Sequence, residues 1–233
     1  MSQQKFSRAS PSPRYRRLIE QYQHMHLHGD QRIGVPPENT FPGASLPRQA
    51  PGIKRLIKAT GATTILDYGC GKGQQYLPLR ITDPDERIEY PDIQSYWGVK
   101  TIQRYDPAYQ PFTQLPAGKF EGVICTDVLE HCPEEDIPWI LGELFGYATR
   151  FVFANVACFP AEKRLPSGGN AHCTIKPVRW WEEQLERAAH AKPGVAYEFT
   201  LAYIKGGQVK EKTVAGASSA PSTNRSRSQV FLK

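Results

Sequence analysis

The sequence has no apolar run near the ~20 residues that a membrane-spanning helix requires, so no such helix is expected. It opens Met1-Ser2-Gln3-Gln4-Lys5, without the apolar core of a secretory leader. Cysteine is sparse and odd in number: Cys70, Cys125, Cys132, Cys158 and Cys173 are scattered in apolar surroundings. That excludes a disulfide framework and suits reduced thiols, so a cytoplasmic location is expected. Metal-ligand spacing is also missing. His24, His26 and His28 alternate, which aligns three imidazoles only on a strand, yet the surrounding pattern is helical. His131-Cys132 and His172-Cys173 are adjacent pairs whose side chains diverge, so no metal is expected.

What is present fits one α/β domain with extensions. The chain has 233 residues, and 39% hydrophobic content can fill one substantial core. Its net charge of +6 is unevenly divided. Residues 1–60 hold ten Lys/Arg against three Asp/Glu, and residues 205–233 hold six against one. The middle is acidic, with 13 basic and 19 acidic side chains. A nucleic-acid footprint is basic, so the middle is unsuited to that partner, and the basic ends read as solvated. The core also lacks an aromatic, basic platform for single strands.

Along the chain, residues 1–13 are rich in Ser, Pro and Gln and are expected to be disordered. Leu18, Ile19, Tyr22 and Met25 predict a helix over 14–28, and the proline-dense stretch that follows, to residue 51, reads as a loop or lid. The main domain is assigned to 52–205. It opens with a helix over 52–60 and a strand at 63–66. A helix follows at 72–79, a polar insertion at 83–92 and a strand at 97–105. A strand at 120–125, a helix at 134–148 and a strand at 150–157 come next. A helix at 178–189 and a strand at 196–204 complete it. Of Trp180 and Trp181, one is expected to pack against the sheet. Residues 206–233 are expected to form a disordered basic tail. Strands alternating with helices imply a parallel sheet covered on both faces. Pro107, Pro111 and Pro116 leave no room for a helix and strand between Asp106 and Phe120, so the sheet is expected to be abbreviated there.

The densest chemical signal is Ile65-Leu66-Asp67-Tyr68-Gly69-Cys70-Gly71-Lys72-Gly73, an apolar strand running into a glycine turn. A nicotinamide-type fingerprint would place its third glycine one position later and an acidic residue about 20 positions on. Here the next strand-end carboxylate, Asp106, lies 33 positions past Gly73. The turn, together with Asp127-Val128-Leu129-Glu130-His131, resembles two motifs of class I S-adenosylmethionine (SAM)-dependent methyltransferases: acidic-x-G-x-G-x-G and D-V-L-E-H. The likeness spans about residues 53–181.

That resemblance implies a Rossmann-like class I methyltransferase sheet, with SAM as methyl donor and S-adenosyl-L-homocysteine as product. It implies that Asp67, Tyr68, Gly69, Cys70, Gly71 and Gly73 flank the methionine end. It gives the ribose hydroxyls to Asp106, and the methyl side of the pocket to Asp127, Val128 and Leu129. The candidate bases are His131, after the fourth strand of the family sheet, and His172, after the fifth. Each also has a structural reading, as a turn cap for His131 and a loop-ordering group for His172. The D/N/S-P-P-aromatic motif of amino-directed DNA methyltransferases is absent, and the Pro-Cys order of base C5 enzymes is reversed at Cys132-Pro133. The expected reaction is O- or N-methylation of a small polar, natural-product-like acceptor. The alternatives are a nucleic-acid methyltransferase docked by its basic ends and a SAM-binding regulator without turnover.

Overall fold

The structure, a computed structural model, describes residues 5–43, 45–78, 80–83 and 87–217. Five parallel strands form the sheet: β1 (Thr64–Tyr68), β4 (Thr101–Tyr105), β5 (Phe120–Thr126), β6 (Ala148–Ala157) and β7 (Ala196–Lys205). An antiparallel edge strand, β8 (Gln208–Ala217), completes the order β4-β1-β5-β6-β7-β8. Two-residue strands β2 (Ile81–Thr82) and β3 (Glu89–Tyr90) pair separately.

Alternation of side chains across the sheet explains its two apolar faces. Leu66, Val123, Cys125, Val152 and Ala154 pack on one face. They meet α4 (Ile137–Tyr147) and α5 (Val178–His190). Ile65, Ile124, Phe151 and Phe153 point the other way, against α2 (Leu46–Thr60) and α3 (Ile93–Trp97). Burying each of these large side chains contributes about 1.5–3 kcal/mol. In α4 the period of 3.6 puts Ile137, Ile140, Leu141, Leu144 and Phe145 on the sheet side. Trp181 is fully buried in α5 and Trp180 packs at the margin of that core.

Helix α1 (Pro13–His28) starts where Ser12 Oγ accepts the Tyr15 amide and proline occupies the first turn. It ends at Gly29, at φ 75°.

Several expectations need correction. Described residues 5–12 are tied down rather than disordered. Arg8 donates to Glu143, Tyr68 and Tyr105, at 2.8 Å for the Tyr105 hydroxyl. The Ser12 amide reaches Asp136 at 3.0 Å. Helix α2 begins at Leu46, inside the expected lid, because Pro47 is compatible with a first turn. Among the described residues of 72–79, no α-helix forms. Gly71 and Gly73 hold φ of 57° and 68°, and only the 3₁₀ turn Gln74–Tyr76 follows. The expected strand at 97–105 is instead the end of α3, a glycine stop at Gly98 and β4. The tail expected to be disordered from 206 forms β8 to Ala217, and its remainder lies outside the described residues. The abbreviation after β4 is observed: no strand lies between Asp106 and β5, so β4 is a sheet edge.

Candidate active site

The carboxyl ends of β1, β4, β5 and β6 open on a cavity of about 550 Å³, the crevice where open α/β sheets hold ligands. Helix α1 roofs it with Tyr15, Leu18, Ile19, Tyr22 and His26, and the Phe41–Gly43 strap crosses beside the glycine turn.

The turn is fully hydrogen-bonded. Gly69 N and Cys70 N donate to Tyr105 O at 2.7 and 3.1 Å, Lys72 N to Phe41 O at 3.2 Å and Gly73 N to Cys70 O at 3.1 Å. Gly71 N donates to Asp106 Oδ2 at 2.9 Å. None of these five amides is left to cradle a phosphate, as a dinucleotide site would require. Glycine is needed here for close approach as well as for φ. A Cβ on Gly69, at φ 89°, would lie 2.4 Å from Val128, and one on Gly71 would lie 2.7 Å from Phe41 O. The turn therefore offers a ligand a flat Cα surface.

Asp106 lines the cavity, and its Oδ1 also accepts the Ala108 and Tyr109 amides at 2.8 and 3.1 Å. Burial pushes this carboxyl up, against the pull of those amides. A carboxylate has about four lone-pair sites, so three amides leave room for one further donor. Bidentate reception of two hydroxyls on wholly free oxygens is not what this geometry offers.

Three expected residues are not brought to the cavity. Gly73 packs on Arg104 and Phe112, and Leu129 is buried in the core. Asp67 is fully buried behind the wall, where Oδ2 accepts Tyr76 Oη at 2.8 Å and Gln75 Nε2 at 3.2 Å. Burial pushes its carboxyl up to about 7. Gln75 takes its place on the cavity wall. With Nε2 spent on Asp67 and on Cys70 O at 3.1 Å, its Oε1 is buried and without a partner among the described residues.

Tyr68, Gly69, Cys70, Gly71, Asp127 and Val128 all line the cavity. Asp127 is a non-glycine residue at φ 52°, held there as Asn155 Nδ2 donates to its Oδ1. Glu130 faces inward instead, accepting Ala157 N at 2.8 Å. Burial, with Asp127 nearby, pushes it to about 8.

His131 and His172 line the same cavity with ring centroids 4.8 Å apart. His131 Nδ1 lies 3.0 Å from Ala171 O and 2.8 Å from Tyr22 Oη, and that hydroxyl also reaches Ala171 O at 3.1 Å. A carbonyl can only accept, so this network assigns the proton to Nδ1. His172 Nδ1 lies 2.6 Å from Phe159 O, giving the same tautomer. Both rings thus keep Nε2 as an acceptor without a partner among the described residues. Burial, reinforced by His172, lowers His131 to about 3, so its ring is neutral at physiological pH. His26 is lowered to about 4 by burial and by Lys72 and Lys163. Of the alternating histidines only His26 reaches the cavity; His24 and His28 are exposed and pack on each other. Tyr22, His26, Phe41, Gln75 and Lys163 carry no sequence motif. In sequence Tyr22 falls on the apolar face of the predicted helix 14–28, His26 among the alternating histidines, Phe41 in the proline-dense stretch and Gln75 in the predicted helix 72–79, and nothing marks Lys163.

No family model matches the chain, and no curated protein matches it. Among solved structures, the crystal structure of magnesium protoporphyrin IX methyltransferase from Synechocystis with bound SAH is similar over 74% of this chain and 83% of that chain. The two are 15% identical, with a TM-score of 0.42. A similarity of that size carries no functional weight, and the functional reading rests on the cavity's own side chains.

Proposed function

We propose that this chain is a SAM-dependent methyltransferase that methylates an oxygen or nitrogen of a small polar acceptor. The observation that carries the reading is the glycine turn, whose amides are all spent, facing two imidazoles with bare Nε2 atoms across one roofed cavity. A phosphate ligand finds no amides on the turn, whereas a thioether or sulfonium needs only close approach to glycine Cα atoms.

The residues present fit that cofactor. Gln75 Oε1, a buried acceptor without a partner, suits an ammonium donor, and Asp67 fixes its amide orientation from behind. The open acceptor site of Asp106 suits a ribose hydroxyl, and Asp127 and Val128 border the space between turn and histidines. When bound, SAM supplies an electrophilic methyl on a sulfonium.

The chain's own part is to orient the acceptor and take its proton. His131 Nε2 or His172 Nε2 accepts the hydrogen of the acceptor hydroxyl or amine, while the carbonyls on Nδ1 keep the tautomer correct. The α1 roof excludes water, which strengthens these contacts. Positioning at near-attack distance supplies the rest.

The test is calorimetry with SAM and SAH, followed by incubation of a metabolite extract with methyl-labelled SAM. Absence of cofactor binding sinks the reading. Cofactor binding without any label transfer would leave a regulator.

A further inference from the structure

We propose that the acceptor is an aromatic carboxylate, seated with its carboxylate on Lys163 and its ring against Phe41 and Tyr22. This deepens the methyltransferase reading and rests on it. Lys163 follows β6 and lines the cavity, and its ammonium stands 4.5 Å over the Phe41 ring. Among the described residues it has no ion-pair or hydrogen-bond partner. The neighbouring cation, Lys72, differs: its ammonium is bound to His26 O at 3.0 Å and His26 Nδ1 at 3.2 Å. A half-buried ammonium without an anion costs free energy that a bound anion restores.

The cavity carries charges of both signs. Asp106 and Asp127 line it at the strand ends, where they favour the positively charged donor. Lys163 stands over Phe41 of the strap and is close enough to His26 and His131 for its charge to disfavour their protonation. Of the acidic groups near Lys163, Glu162 is solvent-exposed, and Asp30, buried and close enough to favour the lysine's charge, is already paired with Arg32 at 3.2 Å. Between Lys163 and the histidines the wall is aromatic. Tyr22 meets Phe41 edge-on at 5.5 Å and Phe159 flanks His172 at 6.3 Å. A flat ring with a carboxylate at one end and a hydroxyl or amine at the other spans this arrangement, placing its nucleophile at the Nε2 atoms.

Calorimetry of the full chain with and without SAH, using benzoate and its neutral counterpart benzyl alcohol, decides the matter. Wild type should bind benzoate more tightly than benzyl alcohol. Lys163→Met should weaken benzoate by about tenfold or more, the loss expected for one charge-assisted hydrogen bond. It should change benzyl alcohol and SAH by less than about twofold, with Lys163→Arg retaining most of the benzoate affinity. Three results overturn the proposal: no benzoate binding by wild type, equal binding of the two probes, or a Lys163→Met protein that binds benzoate normally. Parallel loss of SAH would place Lys163 on the cofactor's own carboxylate and overturn it too. Failure of the methyltransferase reading is seen separately, as absent SAH binding by wild type, while the benzoate arms still decide the anion subsite.

Discussion

On the glycine-turn wall, every amide from Gly69 to Gly73 is spent on the protein itself and three amides hold Asp106. Lining the same cavity, His131 and His172 each keep a ring nitrogen, and Lys163 its ammonium, without a hydrogen-bond partner among the described residues. In the proposed reading the glycine turn offers the donor shape and one or two acceptors, while the histidines and Lys163 would handle a proton and an anion, all within about 550 Å³.

The largest effect should come from breaking the reactive wall. His131→Ala and His172→Ala should each lower turnover by about 10²–10⁴, the usual contribution of a positioned base, with SAH affinity unchanged. Normal turnover in both returns the rings to structural roles. Next, Gly71→Ala should weaken SAH by about a hundredfold, since its Cβ meets a backbone carbonyl at 2.7 Å and its φ is 57°. Near-normal calorimetry would mean that the turn does not touch the cofactor. Asp106→Ala should cost about 2–4 kcal/mol of stability, because three buried amides lose their acceptor. It should lose SAH binding as well, and denaturant titration beside calorimetry separates the two effects. Arg8→Met, behind the glycine-turn wall, should cost about 1–3 kcal/mol through its lost bonds to Glu143, Tyr68 and Tyr105. An unchanged melting temperature would show that the arm is ornamental.

The smallest and most diagnostic effect is in pH. Asp67 is raised from 3.8 to about 7, so the unfolded chain loses this proton first as pH rises. Its contribution to stability therefore falls between about pH 4 and 7 and is level above. His131 is lowered from 6.5 to about 3, which gives the opposite slope, with stability rising as pH climbs from about 3 to 6.5 and level above. Asp67→Asn should accordingly gain on wild type from pH 4 to 7 in thermal melts. His131→Phe should lose the acid-side rise. Parallel melting curves across that range would contradict both assignments.

Much of the sheet was legible because apolar runs ended in turn residues, as at Thr126-Asp127 and Asp106-Pro107. The lining of the cavity was legible where backbone chemistry dictated residue type, at Gly69, Gly71 and Asp106, and where the segments after β5 and β6 carry His131 and His172 to it. The helix expected at 72–79 failed because two left-handed glycines and Pro78 leave too few helical residues, an outcome composition already hinted at. Asp67 was misread because sequence gives the order of side chains but not which face of β1 each takes. It lies behind the wall, and Gln75 speaks for it. Lys163, Tyr22 and Phe41 come from segments without a motif and meet only when α1 folds over the sheet. The order of residues 5–12 was hidden because Arg8 finds its partners more than 50 residues away.

That arm also has a history within each molecule's synthesis. Arg8 and Glu143 stand 135 positions apart, so at about 10 residues per second the ribosome makes the one on the order of ten seconds before the other. Until α4 emerges, Arg8 can meet Tyr68 and Tyr105 but lacks the carboxylate of Glu143. Residues 5–12 are thus made well before the helix that completes their docking.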